Sequence, residues 1–315
     1  MQKTYWKLLF KSKVIKMSKY KVSVIVPVYN TKEYLKTSFE SIKNQTFNFE
    51  DLEIIFINDK SDDGSEDMLK EFEEQNDNVF LYDSPEGKKG PGAARNLGID
   101  KASADYIIFF DSDDEMLPDY IETIYDEITQ NNVDLVKTSF FSNIEGHRYS
   151  TKRGIGRVEV SHDDLTLLMD YNYFEPWCSI YRKEYLIKEN IRFLERFNLY
   201  ESFIFTVEAI AKARNGIIVL DDFMGQVWRI REEGLHNSTI KEDELEYILH
   251  TICEMLLVLA RENQPPECIE KLAKFILSVW SYDLCLSKEP KDVINAFCFA
   301  KGFKVNKEIM DKSLS

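Results

Sequence analysis

Four stretches of the chain are apolar at successive positions: YKVSVIVPVYN (20–30), LEIIFIND (52–59), NVFLYD (78–83) and DYIIFFDSDD (105–114). Runs of this kind predict strands covered on both faces, as in a mostly parallel sheet. Between them the period changes. In 31–45 Leu35, Phe39 and Ile42 recur at helical spacing, 65–75 reads as a helix that Ser65 can cap, and GPGAARNLGIDKA (90–102) is a turn entering a helix. Alternating strands and helices predict an α/β fold with a doubly wound sheet and helices on both faces. Past residue 120 the pattern loosens to a helix (120–132), a strand (133–141), a polar, glycine-containing loop with a hairpin (142–160), and an aromatic cluster followed by a helix (164–193). From 241 the chain turns helical: Leu245, Ile248, Leu249, Ile252, Leu256 and Leu259 share one face, and Pro265 and Pro266 interrupt it. The expected organisation is a tail over 1–18, a main domain over 19–240 and a helical region over 241–315, with no internal repeats.

In doubly wound sheets, ligands bind beyond the carboxyl ends of the strands. That rule brings residues 27–30, 58–63 and 111–114 to one rim. Asp111, Ser112, Asp113 and Asp114 form its most charged part. Carboxylates set this closely raise one another's pKa unless a cation or hydrogen-bond donors offset them. The rim therefore predicts a positive partner.

Of the 315 residues, 44% are hydrophobic, enough for one large domain or two smaller ones. The net charge of −15 argues against nucleic-acid binding. Its distribution is uneven: residues 1–21 hold seven lysines and no acid, leaving 33 basic against 55 acidic residues in the remainder. KTYWKLLFKSKVIKM interleaves lysines with Trp6, Leu8, Leu9 and Phe10, which suits either a helix on an anionic membrane surface or a tail ahead of a start at Met17. No run approaches the ~20 apolar residues of a membrane span, and the N-terminus lacks a signal-peptide pattern. The expected location is cytoplasmic, with peripheral contact to the inner face of the membrane through residues 1–18. Five scattered cysteines, without CxxC spacing, read as buried hydrophobes rather than disulfides or a zinc site.

The ordered set VSVIVPVYN, IFINDKSDDGS, GPGAARNLGIDKASADYIIFFDSDD, FLERFNLYESFIF and REEGLHNST resembles the inverting family 2 glycosyltransferases of the GT-A fold, over roughly residues 20–240. The resemblance implies a metal-dependent transfer of a sugar from a UDP-sugar to a hydroxyl of a surface glycan, wall polymer or lipid-linked acceptor. It implies Mn²⁺ or Mg²⁺ bridging the donor diphosphate as a Lewis acid, with Asp113 as direct ligand, Asp111 and Ser112 at the nucleotide, and Asp114 supporting the turn. Asp59 matches the aspartate that bonds the base. Pro27, Tyr29 and Asn30 match the loop that flanks it, and Arg95 and Asn96 match the ARN element at the nucleotide-sugar, where Arg95 can either approach the nucleotide or form a structural ion pair with Asp111. Arg231, His236 and Ser238 fall at the spacing that closes over the diphosphate, with His236 as a further metal ligand or a donor to phosphate, and Glu175 and Trp177 fall on the acceptor wall, where Trp177 reads equally as a core side chain. Two positions depart from the family. Lys60 stands where glycine is common, and Glu201–Ser202 stands where Glu-Asp is usual, the aspartate being the general base. A serine hydroxyl is not basic near neutral pH, which leaves three readings: Glu201 swings in as the base, the chain is a weakened or engineered variant, or it binds without turning over. The competing readings are a catalytically silent nucleotide- or carbohydrate-binding member of the fold, and a nucleotidyltransferase, which is disfavoured by the lack of a basic glycine-rich loop after the first strand. Residues 241–315, rich in leucine and aromatic side chains, are a candidate homo-oligomer contact.

Overall fold

The computed structural model describes residues 18–87, 90–171, 175–195, 201–231 and 254–273, and the side chains of all of these but 170 and 171. The first strands and helices follow the sequence pattern closely: β1 (Val22–Val28), α1 (Lys32–Lys43), β2 (Leu52–Asn58), α2 (Ser65–Gln75), β3 (Val79–Asp83), α3 (Pro91–Lys101) and β4 (Tyr106–Phe109). Then come β5 (Glu115–Met116), α4 (Tyr120–Asn131), β6 (Leu135–Ile144), β7 (His147–Ser150), β8 (Arg157–Val160), α5 (Thr166–Tyr171), β9 (Ser179–Arg182), α6 (Lys183–Lys188), α7 (Glu201–Ala211) and β10 (Ile217–Arg229). The strands form one sheet in the order β3-β2-β1-β4-β9-β6-β10-β5, with β7 beside β6 and β8 beside β10. β3, β2, β1 and β4 are parallel, whereas β9 lies antiparallel between β4 and β6.

The period-2 rule of a strand explains why β1 needs apolar residues almost throughout. Val22, Val24, Val26 and Val28 pack on one face with Leu35, Phe39 and Ile42 of α1 and Ile121, Ile124 and Ile128 of α4. Ile25 points to the other face, into a core shared with Ala94 and Ile99 of α3 and Phe205 and Ile210 of α7. Here α3 lies so close that a Cβ on Gly98 would overlap the side chain of Ile25.

Three expectations change. Ser65 does not cap α2. Its hydroxyl accepts the Thr31 N–H at 3.2 Å, and Asp63 receives the N–H groups of Ser65 and of Lys32, both at 2.9 Å. One carboxylate thus serves the first turns of two helices, and although partial burial opposes it, the hydrogen bonds from Ser65 and Lys32 hold its pKa below the ordinary value. Second, the long strand β10 and the short β9 complete the sheet beyond the region of clear periodicity. Third, the described part of the expected C-terminal helical region, helices over 254–261 and 266–273, puts Met255, Leu256, Leu259 and Leu272 into the same core as α7. Gln264 joins it to the main domain, accepting the Leu165 N–H at 3.1 Å and donating to the His162 carbonyl at 2.6 Å.

Candidate active site

The sheet order reverses direction between β1 and β4, the point beyond whose carboxyl ends doubly wound sheets bind ligands. On the β1 side Asn30 adopts a left-handed backbone (φ 51°) and clasps the loop after β2. Its amide donates to Asp62 at 2.8 Å and accepts the Asp62 N–H at 2.9 Å, and its own N–H reaches Ser61 at 3.2 Å. Tyr29, 61% exposed, stands out from the same loop, just past the partly buried Pro27. At the end of β2, Asp59 takes the Gly90 N–H on Oδ2 at 2.8 Å, while its Oδ1 is buried with no hydrogen-bond partner among the described residues. A buried carboxylate oxygen without a donor is costly, so this atom is preorganised for one.

The turn after β4 carries the carboxylates. Ser112 shares a 2.9 Å hydrogen bond with Thr31, fastening this turn to the β1 loop. Asp111 receives Nη2 of Arg95 at 2.7 Å, and Asp113 receives Nε of Arg231 at 2.7 Å. Asp114 is buried, accepts the Arg229 N–H at 2.8 Å on Oδ1, and has no partner for Oδ2 among the described residues. Burial first, then the neighbouring Asp111, pushes the Asp113 pKa up, with Arg231 and Arg229 pulling against it. Burial, then Asp113 and Asp111, pushes Asp114 well up. Arg95 and Arg231 supply two positive charges to this turn from within the chain. Arg229 was not anticipated. It donates Nε to the Asp113 carbonyl at 3.0 Å, and its guanidinium and that of Arg231 lie over the Tyr34 ring at 5.1 and 5.4 Å. The sequence signal was present in RIR, whose two-residue spacing puts both arginines on one side of an extended chain.

Residues 23–189 match the family model described as glycosyl transferase family 2. The chain belongs to that family. It is 33% identical over 184 residues to glycosyltransferase GlyA of Streptococcus pneumoniae serotype 4, which covers 55% of this chain and 26% of GlyA. It is 31% identical over 221 residues to the poly(ribitol-phosphate) beta-glucosyltransferase of Bacillus spizizenii, covering 69% of this chain and 33% of that protein. The chain thus spans about a quarter to a third of the length of these two relatives. Among solved structures, S. aureus TarS 1-349 in complex with UDP-GlcNAc superposes with a TM-score of 0.68 at 22% identity, over 83% of this chain and 73% of that one. That likeness bears out the GT-A fold.

Set against the family pattern, Lys60 takes up the left-handed backbone (φ 63°) that explains glycine at this turn in other members. Asn96 is committed to the protein, donating to the Phe193 carbonyl at 2.8 Å and to Glu195 at 3.1 Å and accepting the Phe193 N–H at 2.9 Å. Trp177 is 8% exposed and packs against Phe140 and Trp228, so little of its face is open to an acceptor. The Glu175 carbonyl accepts Nζ of Lys137 at 2.8 Å; burial in the sheet brings that lysine down to about 8. Glu201 opens α7, is 4% exposed and turns its carboxylate onto Nη1 of Arg95 at 3.0 Å. Burial, opposed by Arg95, raises it to about 7. Ser202 beside it is partly exposed, and its carbonyl accepts the Thr206 hydroxyl at 2.9 Å. His236 and Ser238 lie outside the described residues, as do residues 1–17 and most of 241–315. No helix among the described residues is long and apolar enough to cross a membrane.

Proposed function

We propose that the chain binds a UDP-sugar beyond the carboxyl ends of β1 and β4 and transfers the sugar, with inversion, to a hydroxyl of a wall polymer, surface glycan or lipid-linked acceptor. The observation that carries the reading is Asp59, whose unpartnered Oδ1 at the end of β2 suits an N–H of a nucleobase. Asn30 holds the loop that presents it, and Tyr29 is free to cover the base. Arg231 and Arg229 suit the diphosphate, since guanidinium groups hold phosphate oxygens in bidentate geometry.

The carboxylate turn fits a hard divalent cation shared with that diphosphate. Its donors are all oxygen, and the unpartnered Oδ2 of Asp114 adds a buried acceptor beside them. Among the described residues no three His, Cys, Asp or Glu side chains converge on one metal position, so a bound diphosphate would have to supply further ligands. Asp113 would hold Mn²⁺ or Mg²⁺, with Asp111 beside it. The ion offsets the charge that develops on the leaving diphosphate.

The acceptor hydroxyl must lose its proton as it attacks, and the chain is poorly equipped at that step. Ser202 is not basic. Glu201 has a pKa suited to a base, yet its carboxylate is buried and engaged by Arg95. The role expected of Glu201 as base therefore gives way to one of positioning, and transfer is slow. Ser202 equally favours a second reading, donor binding without efficient turnover. Calorimetry of UDP with Mn²⁺ and with EDTA, together with UDP release from a UDP-sugar by the native chain and Ser202→Asp, tests both. Metal-dependent UDP binding and a gain of roughly 100-fold in Ser202→Asp are expected, the usual scale of general-base catalysis. Absence of UDP binding refutes the donor site, and an unchanged rate in Ser202→Asp means that position 202 is not where the base belongs.

A further inference from the structure

One guanidinium joins the two halves of the site. Arg95, on the second turn of α3 and 5% exposed, reaches Asp111 with Nη2 at 2.7 Å and Glu201 with Nη1 at 3.0 Å, and its plane sits 5.3 Å from the centre of the Phe193 ring. Phe193 stacks on Phe205 of α7 with centroids 3.8 Å apart and planes 4° from parallel. The next residue, Asn96, bonds both backbone groups of Phe193, and a Cβ on Gly92 would lie 2.5 Å from the Leu194 carbonyl oxygen. Three positions of α3 thus grip the segment that precedes α7, and one of them also holds the carboxylate that faces the nucleotide.

The electrostatics of this group are not balanced. Two carboxylates share one buried cation, so whatever alters the charge around Asp111 alters how Arg95 divides itself between Asp111 and Glu201. No other ion pair among the described residues crosses from the 111–114 turn to α7. We propose that Arg95 is a positioning residue that couples donor occupancy at Asp111 to the placement of the first turn of α7, where position 202 belongs to the acceptor side. The inference rests on the donor site proposed above. It implies that UDP bound beyond the ends of β1 and β4 tightens α7, and, by reciprocity, that loosening α7 weakens the hold on UDP.

Hydrogen exchange with mass spectrometry tests this on the full chain with and without UDP and Mn²⁺, in the native protein, Glu201→Gln and Glu201→Met. Glutamine keeps an oxygen for Nη1 of Arg95. Methionine keeps the length and helix propensity of the side chain but accepts no such bond, and it leaves Arg95 and Asp111 as a neutral pair. Calorimetry run in parallel should show UDP bound by all three. The expected result is at least threefold slower exchange in peptides covering α7 on adding UDP, in the native chain and Glu201→Gln, with the effect lost in Glu201→Met. A merely structural ion pair would change melting temperature and leave the UDP-dependent protection of α7 unmoved. Equal protection in Glu201→Met, or UDP bound by the native chain with α7 unaffected, overturns the coupling while leaving the donor site standing. The native comparison needs no variant to fold. No UDP binding by the native chain overturns the coupling and the donor site together.

Discussion

Replacing Glu201 by glutamine should make the protein more stable near neutral pH, and the size of the gain should depend on pH. A carboxyl raised from 4.5 in the open chain to about 7 in the fold holds its proton more tightly when folded. Its contribution to stability is complete below pH 4.5 and is lost as pH rises through 7. A difference of 2.5 units corresponds to roughly 3–4 kcal/mol, since each unit is worth ~1.4 kcal/mol. Burial drives the shift, and Arg95 offsets only part of it because Asp111 takes the other half of that guanidinium. Glutamine has no charge to lose and can still accept from Nη1. Asp113 and Asp114, which are also raised, give the native chain a pH dependence of the same sign, so the informative quantity is the difference between variant and native. Urea unfolding at pH 4.5, 6, 7 and 8 should give nearly equal stabilities at the lowest pH and a variant ahead by about 2–3 kcal/mol at the highest. Parallel curves would refute the reasoning. A native chain that gained on the variant with rising pH would mean that the ion pair with Arg95 outweighs burial.

Two further outcomes test local claims. Lys60→Val should cost about 1–2 kcal/mol in urea unfolding, because a β-branched residue resists the left-handed backbone there, whereas Lys60→Gly should fall within about 0.5 kcal/mol of native. Asp221, fully buried on β10, accepts the N–H groups of Arg153, Gly154 and Ile155 and the Ser139 hydroxyl; Asp221→Ala should cost about 3 kcal/mol and speed amide exchange at 153–155.

The sheet's parallel half was legible because burial on both faces leaves no choice of residue type: β1, β2 and β4 are apolar at nearly every position. β10 was harder to see. IIVLDDFMGQVWR places Asp221, Asp222 and Gly225 inside a strand, with register shifts at Leu220–Met224 and Met224–Gln226 that erase the period. Only the tertiary setting explains them, since Asp221 is buried by serving a loop and Gly225 by the Tyr120 ring against which a Cβ would collide. The rim residues were likewise legible from the rule about strand ends. The pairing of Arg95 with Asp111 was legible too, but its second partner was not, because Arg95 and Glu201 lie 106 positions apart and meet only once α3 and α7 share a face of the sheet.

That meeting separates the arginines by what each can give up. Arg95 cannot turn to a phosphate without leaving Asp111 and Glu201 uncompensated, the second of them in the interior, and a stranded buried charge costs several kcal/mol. Arg231 is differently placed. Its side chain is 27% exposed, it lies over Tyr34 beside Arg229, and the carboxylate it engages belongs to the residue suited to a divalent cation. Under the reading proposed above, Asp113 would hold a divalent cation and Arg231 would bear on the phosphate oxygens. Arg95 and Arg231 make equally short contacts with neighbouring carboxylates, yet burial on α3 fixes the first as framework, whereas the second sits at the partly exposed edge of the turn.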